Sequence, residues 1–173
     1  MNTQVLGLLL ETVTGKRLNK YAQEKLWKKI GAQSDAFFYE SKKQPDTCAF
    51  ACLNATARDY GRIGLMMLRG GALGNERVVS SAWVHDSTAP DAPHLRPKPG
   101  GPEGGYGYAY QWWIPPGNEN VFEAQGIYGQ CIYVNPARHV VIVQTSAWPE
   151  PVSFAPAQEQ GVVLNSIASE FAP

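Results

Sequence analysis

Apolar residues recur at helical spacing through the first thirty positions and at strand spacing through the last third of the chain. Val5, Leu6, Leu9 and Val13 fall on one face of a first helix, which Asn2 or Thr3 can cap and which stops near Gly15. Leu8 and Leu10 make that helix apolar nearly all round. Leu18, Tyr21, Ala22, Leu26 and Ile30 mark a second helix, with Lys28 and Lys29 in its last turn and Gly31 at the C′ position. Both helices need partners to bury against.

The middle is more broken. Ala36–Tyr39 reads as a short strand or extended link, followed by a polar loop through Asp46. Thr56-Ala57-Arg58-Asp59 resembles a capping box and opens a third helix through Tyr60, Ile63, Met66 and Met67 to Arg69, ended by Gly70-Gly71. Gly61 and Gly64 inside it cost about 1 kcal/mol each against alanine, and they read either as close packing there against another backbone or as ordinary tolerance. Ser80-Ser81-Ala82-Trp83 starts a fourth helix that ends before Pro90. Pro90–Gly105 holds five prolines and four glycines, a composition that forbids helix and central strand alike. A loop of that length reads either as a flap or pocket wall, or as a plain surface excursion.

From Tyr106 the period changes to two. Tyr106, Tyr108, Tyr110 and Trp112 alternate along a strand that runs to Pro115. Val121–Gln125, Gln130–Asn135 and His139–Ser146 read as an antiparallel meander, with a turn at Asn135-Pro136-Ala137-Arg138. Ala157–Phe171 is a closing helix that turns Val162, Val163, Ile167 and Phe171 to the sheet. No repeat or domain boundary shows. The expected fold class is α/β of the α+β type, an antiparallel sheet flanked by helices, in one domain over residues 1–173.

Charge removes several function classes. Fifteen basic and fifteen acidic side chains in 173 residues balance, so no basic footprint invites nucleic acid and no polybasic run invites a membrane surface. Val5–Leu10 is far shorter than the roughly 20 residues of a membrane span, and it lacks the basic flank and cleavage site of a signal peptide. Cys48, Cys52 and Cys131 make an odd count and no disulfide scaffold, so buried thiols and a reducing, cytoplasmic setting are expected. Cys48 and Cys52 are spaced as the start of a metal site, but His85, His94 and His139 are scattered and complete none. Neither metal nor cofactor is expected.

Gly126 and Gly129 flank Ile127-Tyr128 between two of the strands. Glycines at a strand junction mark either a bulge or a place where a small acceptor approaches the backbone. In the second case a free N–H there stabilises an oxyanion.

Several strings resemble one family. Asn2–Gly15 resembles the helix that follows the second catalytic motif of the β-lactamase-related serine hydrolases, which include class C β-lactamases, esterases and 6-aminohexanoate-dimer hydrolases. Ala57-Arg58-Asp59-Tyr60-Gly61-Arg62-Ile63-Gly64 is similar to the family's A-R-D-x-x-R-x-G helix. Tyr106–Trp113, Gly126-Ile127-Tyr128-Gly129-Gln130 and Tyr133-Val134-Asn135-Pro136 continue the match in order. Gly31–Ala36 and Gly126–Gln130 look closest to the 6-aminohexanoate-dimer hydrolases. The resemblance implies a serine β-lactamase or penicillin-binding-protein-like fold and cleavage of a linear amide or ester through an acyl-enzyme.

That chemistry uses Ser-x-x-Lys, Tyr-x-Asn or Tyr-x-Ser, and a third motif on a strand edging the cleft. Only the third is placed here. Ala124-Gln125-Gly126 aligns with it, and Ile127 follows at the position whose backbone N–H completes the oxyanion hole; Ala124, Gln125, Gly126 and Tyr128 are the implied substrate contacts. Ala124 stands where stricter relatives carry lysine or histidine, so recognition of a β-lactam carboxylate does not carry over. No serine has lysine three residues on, Ser41 being followed by Lys42, Lys43 and Gln44. The tyrosine motif lies, in relatives, just before the segment matching Asn2-Thr3-Gln4. The expectation is therefore an incomplete fold: the C-terminal portion of a longer hydrolase, cut or re-started at Met1 and inactive alone, whose sheet edge at His139–Gln144 invites self-association. The alternative is a non-catalytic binding module or pseudo-enzyme that keeps the cleft strand. A hydrolase using His85-Asp86 or His139 fits less well, because neighbours on a helix point apart.

Overall fold

A computed structural model describes residues 2–41, 44–100, 105–117 and 119–171. Its centre is a five-stranded antiparallel meander: β7 (Gly107–Ala109), β8 (Trp112–Ile114), β9 (Phe122–Gly126), β10 (Gln130–Asn135) and β11 (Val140–Gln144), ordered β11-β10-β9-β8-β7. Six short strands precede it and pair in three two-stranded ribbons. These are β1 (Phe37–Phe38) with β4 (Leu53–Asn54), β2 (Glu40–Ser41) with β3 (Gln44–Thr47), and β5 (Ala72–Leu73) with β6 (Glu76–Arg77). The β2–β3 pair replaces the expected polar loop, whose Lys42 and Lys43 lie outside the described residues.

Alternation along the meander sends side chains to two cores. Phe122, Ile132 and Val134 meet Ile30, Met66, Met67 and Val84 on one face, with Val141 and Val143 at the margin. Cys131, Tyr133 and Val140 meet Leu164 and Ala168 on the other. The first face is covered by α3 (Ala57–Leu68), the second by α5 (Phe154–Ser169). Helix α3 starts as its sequence dictates: the Thr56 hydroxyl accepts the Asp59 N–H at 3.1 Å. It ends in a Schellman turn, Gly70 donating to Met67 and Gly71 to Met66. Gly64 packs against the Val141 and Ile132 side chains, so its close neighbour is strand β11 and its partner through side chains, not through backbone.

Two expectations about faces are corrected. In α5, Leu164 and Ala168 face the sheet, whereas Val162, Val163, Ile167 and Phe171 are exposed; the helix is apolar over a wide arc, so periodicity alone chose the wrong side. In α1 (Asn2–Thr14), Val5, Leu6, Leu9 and Val13 form the predicted stripe but remain exposed, and the buried residue is Gly7, seated on Ala49. Thr3 lies inside that helix and its hydroxyl donates to Gln111 (3.1 Å) instead of capping.

The second helix is composite. α2 (Leu18–Ala22) continues as a π-helical turn over Gln23–Trp27, and the chain leaves through a Schellman turn at Gly31, with Ala32 donating to Trp27. α4 (Ser81–Thr88) is capped by Ser80, whose hydroxyl accepts the Trp83 N–H at 3.0 Å. The expected single strand over Tyr106–Pro115 is a hairpin. Tyr110 and Gln111 both take positive φ, 42° and 73°, the mirror-image turn that matches strand twist. Asn-Gly is the usual signature; here the Tyr110 ring stacks on Trp83 with centroids 4.8 Å apart.

The proline-rich loop is a strap over one sheet edge, with Gly101–Gly104 outside the described residues. Lys98 donates to the Gly105 carbonyl (2.8 Å), and Leu95 and Pro97 lie so close to Gly107 of β7 that a Cβ there would meet their backbone at 2.5 and 2.6 Å. A 3₁₀ turn, Pro93–Leu95, interrupts a stretch expected to hold no helix.

The cysteine reading is also corrected. Cys48 and Cys52 are joined as a disulfide, so the spacing that suggested the start of a metal site closes a short loop, and Cys131 alone is a buried free thiol. Among the described residues no group of three His, Cys, Asp or Glu side chains converges. No helix among them is long and apolar enough to cross a membrane.

Candidate active site

Strand β9 carries the residues singled out from the sequence. Its pleat sends Ala124 into the α3-side core and Gln125 to the opposite face, so the two side chains do not line one cleft wall together. The Gln125 amide donates to the Glu123 carboxylate at 2.7 Å. Glu123 is 5% exposed, and burial raises its pKa against the opposing pull of that amide. Tyr106 and Cys131 share this side of the sheet. Burial first, and the neighbouring Glu123 charge second, push the tyrosine up to about 12 and the thiol higher still. All three are desolvated groups whose charged forms burial disfavours.

At the end of β9 the chain passes through a 3₁₀ turn, Ile127–Gly129, and returns as β10. This turn, and not a simple bulge, is what Gly126 and Gly129 enclose. Tyr128 sits at φ 60°, ψ 24°, a left-handed conformation that costs a side-chain-bearing residue about 1–2 kcal/mol. Four contacts hold it. The Tyr128 N–H donates to the Pro151 carbonyl (2.9 Å), and Trp148 N–H donates to the Tyr128 carbonyl (3.2 Å). Gln160 of α5 donates to the Gly129 carbonyl at 2.9 Å. The Gln130 amide spans to Ser146, donating to its carbonyl and accepting its N–H. Ile127 and Tyr128 remain 47% and 39% exposed, so a rigid backbone presents an open surface.

Register places other groups at this end of the sheet. Trp113 faces Glu123, so the Tyr110-Gln111 turn lies beside the Gln125–Gly126 end of β9, with Thr3 of α1 hydrogen-bonded to it. Tyr110 and Trp83 are both exposed there as a stacked pair. Sequence reasoning missed this aromatic pair, because it read Tyr110 as a strand residue. Two cavities of about 510 and 560 Å³ lie elsewhere, one along α3 and one between α2 and β1. His85 and Asp86 stand 3.6 Å apart with both side chains about three-fifths exposed, which leaves them without the oriented contact of a catalytic pair.

A β-lactamase family model matches residues 1–164. A 6-aminohexanoate-dimer hydrolase from Paenarthrobacter ureafaciens is 35% identical over 158 residues, which cover 87% of this chain and 38% of that protein. Among solved structures, a putative 6-aminohexanoate-dimer hydrolase from Bacillus anthracis superposes with a TM-score of 0.81 at 27% identity, over 98% of this chain and 43% of its own. A putative β-lactamase from Bacteroides dorei shares the fold at a TM-score of 0.62 and 16% identity, over 91% of this chain and 54% of its own. The chain thus spans about two-fifths of the length of its curated relative. With the family model running through nearly the whole chain, the chain belongs to the β-lactamase family.

Proposed function

We propose that this chain is the C-terminal portion of a serine hydrolase that cleaves a linear amide or ester, and that it contributes the oxyanion strand while the nucleophile comes from a segment outside it. The Ile127 turn carries this reading. The Tyr128 N–H is committed to the Pro151 carbonyl; the neighbouring Ile127 N–H is the donor this reading assigns to a developing oxyanion. Gly126, which is exposed, keeps side-chain bulk away from the approach, and the exposed Gln125 and Tyr128 supply surface on either side of it. Loss of one such donor removes about 2.7–4 kcal/mol of transition-state stabilisation. A hydroxyl nucleophile needs a base beside it, and no Ser-x-x-Lys exists in this sequence.

The name of the curated relative makes the 6-aminohexanoate dimer the first substrate to try. The purified chain is expected to hydrolyse neither that dimer nor p-nitrophenyl acetate above the buffer rate. Rapid turnover abolished by a single Ser→Ala change would overturn the reading.

A further inference from the structure

Helix α1 meets the rest of the chain through a narrow set of contacts. Val5, Leu6, Leu9 and Val13 stay exposed, and Gly7 is its buried residue. A helix of 13 residues is marginal by itself in water, so its order depends on what docks it. Its first two turns rest on one short segment, residues 47–49. The Gln4 amide donates to the Thr47 carbonyl (3.2 Å), while its oxygen accepts the Ala49 N–H (2.9 Å). Gly7 sits so close to Ala49 that a Cβ on the glycine would come within 2.5 Å of the alanine Cβ. Beyond that segment, Thr3 bonds to Gln111, and the Glu11 carboxylate accepts the Leu18 N–H.

The segment that receives α1 opens the loop closed by the Cys48–Cys52 disulfide. Tyr39 also holds the neck of that loop: its N–H donates to the Cys52 carbonyl (3.2 Å), and its carbonyl accepts the Cys48 N–H (3.4 Å). Both bonds are at or beyond the long end of the ordinary range. Inside the loop Ala51 takes φ 52°, a left-handed conformation that a residue with a side chain keeps only where its surroundings impose it. Phe50 is half exposed and both cysteines are partly exposed, so the bridge lies within reach of a small dithiol. The buried Cys131 is not part of it.

We propose that the Cys48–Cys52 bridge is a redox clasp that sets the docking of α1, and through it the surface beside the Ile127 turn. A thiolate of the dithiol attacks one bridge sulfur to form a mixed disulfide, and its second thiol then displaces the other cysteine. Two electrons and two protons pass to the chain, which is left with free Cys48 and Cys52 thiols, and the dithiol leaves as its own disulfide. Once the bridge is open, Ala51 relaxes. The Thr47 carbonyl and the Ala49 N–H then lose the spacing that matches the two ends of the Gln4 amide, and α1 is released. The same first turn of α1 is bonded through Thr3 to the Tyr110-Gln111 turn, which lies beside the Gln125–Gly126 end of β9. Oxidation seats that turn of helix next to the site and reduction frees it, a local two-state element biased by thiol chemistry. The regulatory role rests on the reading that the Ile127 turn works with groups from outside this chain; the coupling of bridge and helix does not.

The test reads docking and not turnover. The oxidised full chain is treated with dithiothreitol under native conditions, free thiols are counted by alkylation, and hydrogen exchange is followed residue by residue. Cys48 and Cys52 are expected to alkylate while Cys131 does not. The α1 amides from Gly7 to Val13 are expected to exchange about tenfold faster or more on reduction, with Tyr133 and Val134 of the meander unchanged, and to recover on reoxidation. Cys48→Ser with Cys52→Ser is expected to match the reduced chain. Gln4→Ala is expected to loosen α1 in the oxidised chain and to leave reduction less than about twofold further effect, because the two changes act on one contact. Unchanged α1 exchange with both thiols free overturns the proposal. So does equal acceleration in α1 and the meander, which makes the bridge a support of the whole fold, and so does a bridge that the dithiol cannot open in the native chain. None of these outcomes bears on the hydrolase reading, which falls to turnover by this chain alone.

Discussion

Trp148 lies across Gly129 so closely that a β-carbon on the glycine would overlap the indole ring. The glycine also sits at φ 83°, a conformation that disfavours any side chain. Gly129→Ala therefore meets two penalties, about 1–2 kcal/mol for the left-handed backbone and the clash besides. Trp148→Ala relieves only the clash. In denaturant unfolding, the double variant is expected to be more stable than the sum of the single losses predicts, with a coupling of about 0.5–3 kcal/mol. Simple additivity would show that the indole does not fix the Ile127 turn.

Helix α3 offers a paired test of its two glycines. A Cβ on Gly64 would come within 2.5 Å of Val141 Cγ1 and 3.0 Å of Ile132 Cγ2, whereas one on Gly61 would meet Val143 Cγ2 at an ordinary 3.7 Å. Gly64→Ala is expected to lose about 1–3 kcal/mol to overpacking, more than the roughly 1 kcal/mol gained in helix propensity. Gly61→Ala keeps the propensity gain and is expected to raise the melting temperature. Thermal unfolding of the two variants separates them by sign.

How far these sites were legible in the sequence differs with the physics behind each. The meander, the α3 caps and the glycine pair around Ile127 follow from local rules, because period-two patterning, Thr56 and Gly70-Gly71 act within a few residues. The hairpin at Tyr110-Gln111 was hidden, since its turn lacks the usual residues and sits against Trp83, a contact across 27 positions. The sheet-facing side of α5 was misread because the helix carries apolar residues on more than one side. The Cys48–Cys52 bridge was missed because compartment statistics, not local geometry, argued against it. Ala124 and Gln125 were adjacent letters in a motif; the pleat parts them.

Asp59 ties α3 to the turn after the second helix. It is fully buried and accepts from the Gln33 N–H (2.8 Å), the Ser34 N–H (3.2 Å) and the Thr56 hydroxyl (2.8 Å). The Gln33 N–H foremost holds its pKa below the usual range, against desolvation and with help from Thr56, Ser34 and Arg62. A lowered folded-state value means stabilisation that is complete above about pH 4, the unfolded aspartate range, and is lost as pH falls through the folded value. Asp59→Asn is expected to cost roughly 1.5–3 kcal/mol at neutral pH and to flatten the acid limb of the stability profile. An unchanged acid limb would remove Asp59 as its cause.

The cysteines make a counting prediction. Cys131 is 3% exposed, and burial with the nearby Glu123 charge keeps its thiol protonated. A thiol reagent that needs thiolate and access should find no reactive group in the native chain. Denaturation without reductant is expected to expose one thiol, and denaturation with reductant three. Three thiols without reductant would show Cys48 and Cys52 unpaired.

Glu123 has the opposite linkage to Asp59. Burial raises its folded-state value, so the native state holds its proton over a range where the unfolded chain has released it. Stability then falls as pH rises from about 4.3, the unfolded glutamate range, through the raised folded value. Glu123→Gln keeps a hydrogen-bonding partner for Gln125 and has no charge to desolvate. It is expected to be less stable than the parent, or equal to it, at pH 4 and more stable at pH 7, read from urea midpoints at the two values. Because Gln125 and Tyr106 pack around this carboxyl beside the Ile127 turn, the variant also reports on rigidity there: intact contacts at Gly129 should keep Trp148 fluorescence unchanged across the same pH range. A variant whose stability tracks the parent at both pH values would mean that the Glu123 carboxyl is ionised and solvated in the folded chain.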